Sequence, residues 1–239
     1  MNLRAAAGPG HAVSVKTYKQ YCPIARGAEI FAERWTPLII RNLALGCRTF
    51  KEILEGAPGM PRALLSQRLD RLTDIGVLAR TRPPGGRGNV YELTPCGHDL
   101  VDVCFALGRW GARWLEVAPE HLDPHIMLWA MARTAARASV PSKRVAIRFD
   151  LTDLEEKNRF WVVLDRADTE VCLKNPGGQE DVVVTTDSES LMQWHTGSLG
   201  WEEARRRKLI VAEGPARLIK SMGTWGLSPF AEVEKAYPA

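Results

Sequence analysis

The sequence predicts an α+β protein of two domains, and three observations lead to this fold class. A capped helix at residues 59–76 is followed by two short β-type segments around a Gly-rich turn. After residue 140, apolar and polar residues alternate in several short runs, as they do in the strands of an antiparallel sheet. With 239 residues, each half of the chain is long enough to bury a core of its own.

The overall composition is that of a globular protein without a membrane segment. Hydrophobic residues make up 45% of the chain and charged residues 25%, and no apolar run approaches the roughly 18 residues of a membrane span. The N-terminal residues lack the apolar core of a signal peptide, so we expect a cytoplasmic protein. The five cysteines form no Cys-x-x-Cys motif, which indicates reduced thiols and neither a disulfide framework nor a zinc site.

The positive charge of the chain lies in its first half. Residues 1–118 contain 16 Lys and Arg against 10 Asp and Glu, whereas residues 119–239 contain 16 against 18. A basic module joined to a weakly acidic one is typical of a phosphate-binding domain linked to a domain with another task. We expect a disordered lead at 1–17, a first domain at 18–118, a connector helix at 119–140 and a second domain at 141–239.

The helix predicted at residues 59–76 has two different faces. Pro61 suits the first helical position, and Gly76 suits the left-handed residue after a helix end. Leu65, Leu69 and Leu72 recur at the spacing of a buried stripe. The outer face then holds Arg62, Ala63, Ser66, Gln67, Asp70 and Arg71. Small residues and hydrogen-bonding side chains fit a DNA recognition helix, and an ordinary amphipathic surface helix is the alternative.

The segments around this helix favour the first interpretation. Thr49 and Glu52 form a capping box that opens a short helix, and a Pro-Gly pair at 58–59 ends it. A short helix, a tight turn and a second helix make a helix-turn-helix. Residues 77–82 and 89–93 then predict a hairpin with a basic tip, so the whole segment predicts a winged helix.

Two further helices enclose this motif. Thr36 is a good N-cap and Pro37 a good first residue for a buried apolar helix. Thr94 and Pro95 repeat this start for a long helix. The apolar stripe of the long helix consists of Leu100, Val103, Leu107, Trp110 and Trp114. Such a stripe is more than one small domain needs, so we expect part of it to pack against another subunit.

Several motifs of the first half occur in a fixed order. They are Tyr21-Cys22-Pro23, Arg34-Trp35-Thr36-Pro37, Thr49-Phe50-Lys51-Glu52, Leu64-Leu65-Ser66-Gln67-Arg68-Leu69, Gly85-Gly86-Arg87 and Tyr91-Glu92-Leu93-Thr94-Pro95. With these motifs, residues 18–117 resemble the HxlR family of bacterial winged helix-turn-helix regulators. The resemblance implies a homodimer held by the outer helices, with two recognition helices in successive major grooves of a palindromic operator. Family members are usually little more than this domain, so about half of the chain lies outside the resemblance.

The resemblance and the side-chain chemistry together predict the DNA contacts. Arg62, Ser66 and Gln67 are expected to read base edges in double-stranded DNA. The cations expected to hold phosphate are Arg68, Arg71, Arg82 and Arg87. The expected function is therefore a dimeric, sequence-specific transcriptional regulator that acts as a repressor.

The second half combines strands with helices late in the chain. Strands are predicted at 143–150, 159–164, 170–174, 181–185 and 209–213, and helices at 187–195, 199–206 and 215–222. This order, with its strand-to-helix segments at 181–187 and 209–214, is similar to the sterol carrier protein type 2 lipid-binding fold. That resemblance implies an apolar cavity between sheet and helices, where a lipid-like or aromatic molecule binds.

Aromatic and methionine side chains are the candidate walls of this cavity. They are Trp161, Met192, Trp194, Trp201, Met222 and Trp225, and the alternative is that they are ordinary core residues. We expect the second domain to sense an apolar effector, because its slightly negative charge opposes phosphate binding. A domain that only braces the dimer is the other possibility.

No motif in the chain predicts catalysis, a cofactor site or a metal site. His195 and Ser198 place a base near a hydroxyl, but the Gly-x-Ser-x-Gly elbow is missing, so a turn is the simpler interpretation. His121 and His125 flank Asp123, but the pattern suggests no third metal ligand.

Cys22 supports an alternative function. It lies beside Tyr21 and near Arg26, a cation that would favour the reactive thiolate. In some HxlR relatives a cysteine at the matching place senses oxidants or electrophiles, so the resemblance also allows a thiol-based sensor. A half-buried thiol packed against Tyr21 is the simpler interpretation. A lipid carrier or enzyme that uses a winged helix as an interaction module is the rival class.

Overall fold

The computed structural model describes residues 17–85, 88–138, 143–165, 169–234 and 236, without the side chains of 136–138 and Trp225. The chain divides into two units, residues 1–107 and 108–239. This division falls inside one helix, α5 (Pro95–Trp114), whereas the sequence pattern places the domain boundary at residue 118.

The first unit begins with four helices: α1 (Pro23–Phe31), α2 (Thr36–Ala44), α3 (Phe50–Glu55) and α4 (Arg62–Asp74). α2 is buried as its apolar sequence predicts, since Ile39 and Ile40 are fully enclosed. The start of α2 differs from the prediction. Trp35 occupies the N-cap with a left-handed φ of 81°, and Thr36 is the first helical residue.

The capping box of α3 and the C-terminal end of α4 form as predicted, whereas Pro61, predicted as the first helical residue, is the N-cap of α4. Glu52 N donates to Thr49 Oγ1 at 3.3 Å, and Thr49 N donates to the Glu52 carboxylate at 2.8 Å, which completes the capping box of α3. Ile75 ends α4, and Gly76 follows it with a φ of 79°. The left-handed conformation at Gly76 is the one that glycine adopts without steric cost.

The predicted hairpin consists of β1 (Leu78–Thr81) and β2 (Val90–Leu93), which pair antiparallel. Thr49 adds an isolated bridge to Val90, and Tyr91 N donates to the Arg48 carbonyl at 2.8 Å. The wing is therefore attached to the residues that open α3. After β2 the chain enters α5 directly.

In the described part of the second unit, five strands form a sheet. They are β3 (Val145–Leu151), β4 (Arg159–Leu164), β5 (Thr169–Cys172), β6 (Val182–Thr186) and β7 (Ile210–Glu213), in the spatial order β5-β4-β3-β6-β7. The expected antiparallel pairing holds for three of the four neighbouring pairs, but β3 and β6 are parallel. β5 runs in the same direction as β3, and residues 173–181 return the chain to the start of β3, so β6 also runs parallel to it.

Four helices of the second unit pack on one face of the sheet. They are α6 (Pro124–Ala138), α7 (Ser188–His195), α8 (Trp201–Arg206) and α9 (Ala216–Trp225), with a short 3₁₀ turn, Pro119–His121, before α6. Leu128 of α6, Leu191 of α7 and Phe149 of β3 are fully or almost fully buried between the two layers. Among the described residues, no helix has the length and apolar character needed to cross a membrane.

Gly226 tests how tightly this core is packed. Its φ of −80° suits any residue, but a Cβ there would lie 2.2 Å from Cζ2 of the fully buried Trp194. We expect Gly226→Ala to lower the free energy of unfolding of the second unit by about 1–3 kcal/mol, since overpacked cores are strained. Denaturant unfolding followed by tryptophan fluorescence measures this change.

Gly111→Ala is the matched control for this substitution. Gly111 lies inside α5, and the nearest atom to its added Cβ would be Leu115 Cδ1 at 4.0 Å. We expect this variant to be more stable by about 0.5–1 kcal/mol, because alanine loses less backbone entropy in a helix. Equal effects of the two alanines would contradict the packing described at Gly226.

Candidate nucleic-acid interface

The two faces of α4 are separated as the sequence predicts. Leu65, Leu69 and Leu72 are buried, at 0%, 0% and 2% exposure. Arg62, Ala63, Ser66, Gln67 and Asp70 are exposed on the other side of the helix. An exposed surface with small and hydrogen-bonding side chains in the first two turns fits insertion into a major groove.

Polar side chains of α2 fix the turn that precedes α4. Asn42, fully buried, donates from Nδ2 to the Ile53 carbonyl at 2.8 Å, and Arg41 donates to the Gly56 carbonyl. These bonds satisfy carbonyl groups at the end of α3 that lack helical partners. Burial lowers the pKa of the Arg41 guanidinium, since desolvation disfavours its charged form.

Arg62 stands at the first position of α4 and is oriented by an aromatic ring. Its guanidinium carbon lies 5.1 Å from the centre of the Phe50 ring, which belongs to the first turn of α3. A cation over an aromatic face is attracted by the ring quadrupole. Phe50 therefore holds an exposed arginine at the N-terminal end of the recognition helix, a contact that the sequence pattern did not predict.

Arg71, which the sequence pattern places on the outer face of α4, is only partly exposed, and so is Arg68. Both form ion pairs with Glu33, which follows α1, and Arg71 Nη1 lies 2.6 Å from Glu33 Oε1. Arg71 Nη2 also donates to the Glu29 carbonyl at 3.2 Å. The two arginines therefore attach α4 to α1, a role different from the phosphate contact expected for them.

The wing carries cations beside α4. Arg80 of β1 pairs with Asp70 of α4, and this hydrogen bond raises the pKa of the Arg80 guanidinium. Arg82 is exposed just after β1. Arg87, predicted at the tip of the wing, lies outside the described residues. The Arg80–Asp70 pair therefore fixes the wing to the recognition helix.

A second exposed surface lies on α5. Four large apolar side chains are spaced by four, three and four residues along it, namely Val103 (47% exposed), Leu107 (49%), Trp110 (54%) and Trp114 (55%). This spacing places them on one face of the helix. We call these four residues the α5 stripe.

In the second unit, the structure brings together some of the predicted pocket residues. Trp194 and Met222 are fully buried, Trp201 is 6% exposed, and the two indole rings are 4.6 Å apart between centroids. Met192 is partly buried against the same core. The indole Nε1 atoms of Trp194 and Trp201 are buried without a hydrogen-bond partner among the described residues. Trp225, the sixth predicted wall, has a side chain outside the described part.

Trp161 lies on the opposite face of the sheet from this tryptophan pair. It alternates along β4 with Phe160 and Val162, which point into the core. Its Nε1 donates to Glu180 Oε1 at 3.0 Å, and Arg148 also reaches Glu180. The structure therefore removes Trp161 from the candidate walls of a cavity around Trp194, because successive strand residues face opposite sides.

The candidate catalytic and metal-binding residues form local hydrogen bonds. His195 Nδ1 lies 2.7 Å from the Gly226 carbonyl oxygen, and Ser198 Oγ lies 3.3 Å from Thr196 Oγ1. His121 Nδ1 accepts from the backbone of Ala118 at 3.0 Å. Within the described part of the chain, no three His, Cys, Asp or Glu side chains gather to hold a metal ion.

Cys22, the predicted redox sensor, is half-buried at the N-cap of α1. Its carbonyl accepts from Arg26 N at 3.0 Å. Tyr21 is 98% exposed and so does not enclose the thiol, in contrast to the simpler interpretation of the sequence.

A helix-turn-helix with an attached hairpin wing and an exposed polar recognition helix defines a DNA-binding protein of the winged-helix class. The profile of the HxlR-like helix-turn-helix family matches residues 30–119. The HTH-type transcriptional regulator Rv3095 of Mycobacterium tuberculosis is 31% identical over 117 residues, which cover 44% of this chain and 73% of that protein. The chain therefore belongs to the HxlR-like helix-turn-helix family, and it is a DNA-binding transcriptional regulator.

Two solved structures show further similarity. The reduced form of the transcriptional regulator YodB from Bacillus subtilis is 31% identical and covers 38% of this chain and 92% of its own, at a TM-score of 0.34. The UbiJ-SCP2 ubiquinone synthesis protein is 12% identical and covers 58% of this chain and all of its own, at a TM-score of 0.32. The second similarity is too distant to indicate what the second unit binds.

The environment of His195 predicts a pH dependence of stability. A carbonyl oxygen only accepts hydrogen bonds, so Nδ1 carries the proton shared with Gly226. Burial lowers the pKa of His195 below its ordinary value of about 6.5. The unfolded chain then binds more protons below about pH 6.5, so the stability of the second unit is full above this pH and falls as the pH drops towards the folded pKa.

A histidine-to-asparagine exchange measures this contribution. We expect the melting temperature of His195→Asn to vary less between pH 7 and pH 5 than that of the wild type, because asparagine donates to Gly226 without titrating. His98→Asn, at an exposed histidine in α5, is the control and should keep the wild-type profile. If His195→Asn also kept that profile, the half-buried imidazole of His195 would not be the titrating group.

Proposed function

We propose that this regulator binds a palindromic operator as a homodimer, and that α4 reads bases while the wing holds phosphate. The observation that carries this proposal is the division of α4 into a buried leucine face and an exposed face with Arg62, Ser66 and Gln67. Arginine pairs with guanine edges and glutamine with adenine edges, so this face has the chemistry for sequence discrimination.

The arrangement of cations supports different roles for different arginines. Arg62 is held over Phe50 at the start of α4, where a recognition helix meets base edges. Arg82 follows strand β1 of the wing and is exposed, so we assign it a phosphate contact. Arg87 stays a prediction for the same role. The positive balance of residues 1–118 favours the approach of a polyanion.

The α5 stripe supports the homodimer. Four large apolar side chains on one helix face form an exposed patch of a kind that marks protein interfaces. Tyr21 and Ile24, at the start of α1, are also exposed, at 98% and 81%. A two-fold axis brings the same patch of two copies together, and a dimer places two recognition helices on two half-sites.

Control by an apolar effector is the second part of the proposal. Trp194, Trp201 and Met222 meet in the core of the second unit, and their apolar surfaces suit a lipid-like or aromatic molecule. Trp161 is excluded from that set by its position on the other sheet face. Repression, effector binding and thiol sensing by Cys22 stay predictions of the sequence.

A mobility-shift titration against the DNA that flanks the coding region of this protein tests the central proposal. We expect binding that depends on sequence and weakens steeply with salt, because phosphate contacts release counterions. Equal affinity for all duplex sequences would contradict the proposal that α4 reads bases.

Two single substitutions separate base readout from phosphate contact. Gln67→Ala should relax the preference at one operator position and cost about 1–3 kcal/mol on the cognate base. Arg82→Ala should weaken binding to every sequence and flatten the salt slope by about 1. Fluorescence anisotropy with operator and scrambled duplexes measures both effects. Arg217→Ala, an exposed cation of α9, is the control and should bind as the wild type does. If the first two variants behaved alike, the assigned roles would be incorrect.

A charge placed in the α5 stripe tests the dimer. We expect Trp110→Glu to weaken self-association by about 2 kcal/mol or more, roughly thirtyfold, because an exposed tryptophan at an interface centre is a typical hot spot. Sedimentation velocity measures the monomer fraction. Arg109→Glu introduces a carboxylate on the neighbouring exposed position, away from the stripe, and should stay dimeric. A Trp110→Glu protein that sediments as the wild type would place the interface elsewhere.

A further inference from the structure

The recognition helix contains three arginines, and they differ in exposure to solvent. Arg62 is exposed, whereas the side chains of Arg68 and Arg71 are only 17% and 24% exposed. Both of these half-buried cations meet the same carboxylate, that of Glu33, which is itself 22% exposed. One acidic residue outside α4 therefore holds two of its three positive charges.

Both oxygens of the Glu33 carboxylate are used in this contact. Oε1 pairs with Arg71 Nη1 at 2.6 Å, and Oε2 pairs with Arg68 Nη1. Arg71 has a further bond from Nη2 to the Glu29 carbonyl, and Nε of Arg68 is buried. Reaching a DNA phosphate would require either arginine to leave these contacts, so neither is available while Glu33 is charged and in place.

A backbone hydrogen bond fixes the turn that carries Glu33. Its carbonyl accepts from Thr36 N at 3.0 Å, in the turn that joins α1 to α2. Trp35 in the same turn has a left-handed φ of 81°. The carboxylate is therefore presented to α4 from a fixed turn, and the ion pairs also fix the position of α4 relative to α1.

Keeping Arg68 and Arg71 away from phosphate affects how well the protein discriminates between DNA sequences. Phosphate contacts act on every sequence alike, and each one adds about 0.9 to the dependence of log affinity on log salt concentration. Base contacts discriminate only when the helix that carries them is held in place. A carboxylate that pairs with two arginines and anchors the helix therefore reduces phosphate binding and supports base recognition.

We propose that Glu33 is a positioning residue that determines specificity, by keeping Arg68 and Arg71 of the recognition helix away from phosphate. This inference rests on the proposed operator binding by α4. The regulator then avoids non-cognate DNA partly through an ion pair inside its own domain. Glu33 itself does not touch the DNA.

Salt titrations of Glu33→Gln provide the test. On a non-cognate duplex we expect tighter binding at low salt and a slope of log affinity against log salt that is steeper by about 1–2, because one or both arginines are released to phosphate. Operator affinity should not rise by the same factor, since α4 loses its anchor, so the ratio of operator to non-cognate affinity should fall. An unchanged slope or an unchanged ratio would overturn the proposal.

Asp74→Asn is the matched control for charge. It removes one negative charge from the exposed last residue of α4, as Glu33→Gln removes one from beside the helix. We expect it to leave the slope within about half a unit of the wild type, since long-range effects of exposed charges are screened by salt. A slope change equal to that of Glu33→Gln would show that net charge alone is responsible, and this would also overturn the proposal.

Arginine variants test the same inference without changing Glu33. In the wild-type background, Arg68→Gln combined with Arg71→Gln should leave the salt slope unchanged, because these cations do not reach phosphate there. In the Glu33→Gln background, the same pair should remove the added slope. Flattening by about 1–2 in the wild-type background would mean that the arginines bind phosphate despite Glu33, which contradicts the inference.

Two measurements distinguish failure of the role of Glu33 from misfolding of a variant and from failure of the proposed operator binding. Thermal unfolding identifies any variant that loses its fold. If Glu33→Gln does not fold, the salt slope of the Arg68→Gln, Arg71→Gln double variant in the wild-type background tests the inference by itself. If the wild type shows no sequence-dependent binding, the proposed operator binding fails. If the wild type binds its operator but Glu33→Gln keeps the wild-type slope, only the role of Glu33 fails.

Discussion

The orientation of the recognition helix depends on one constraint, the burial of Leu65, Leu69 and Leu72. Each fully buried leucine contributes about 1.5–3 kcal/mol relative to an exposed one. Residues three and four apart share a helix face, so burying these side chains forces Ser66 and Gln67 outward. Burial of the three leucines and exposure of the polar face therefore occur together, and a substitution that disturbs these leucines also disturbs the presentation of the polar face.

Hydrophobic burial selects the face of α4 but does not fix its position along its axis. Directional contacts do so: Asn42 holds the end of α3, Asp70 holds the wing through Arg80, and Glu33 holds the far side of α4. Such bonds weaken steeply with distance and misalignment, so they discriminate small shifts that apolar contacts tolerate. In this domain the same polar groups that set the helix position also decide which cations remain exposed.

The second unit is organised by the two faces of its sheet. One face is covered by four helices and contains the Trp194–Trp201 pair, packed so closely that Gly226 has no room for a methyl group. The other face carries Arg148, Asp150 and Glu180 in a charged network around the Trp161 indole. An apolar ligand that entered between sheet and helices would therefore have to displace packed side chains, and its binding would be coupled to movement of α7 and α9.

The sequence by itself determined the elements of this protein and the faces of its helices. The Thr49–Glu52 capping box, the left-handed Gly76 and the leucine spacing of α4 depend on neighbours within four residues, so they are legible in the chain. Only the tertiary structure decided that Arg71 pairs with Glu33, 38 positions away, that Phe50 supports Arg62, and that Trp161 leaves the tryptophan cluster. These outcomes depend on how separate elements pack, and periodicity does not encode which partner a long side chain meets across that distance.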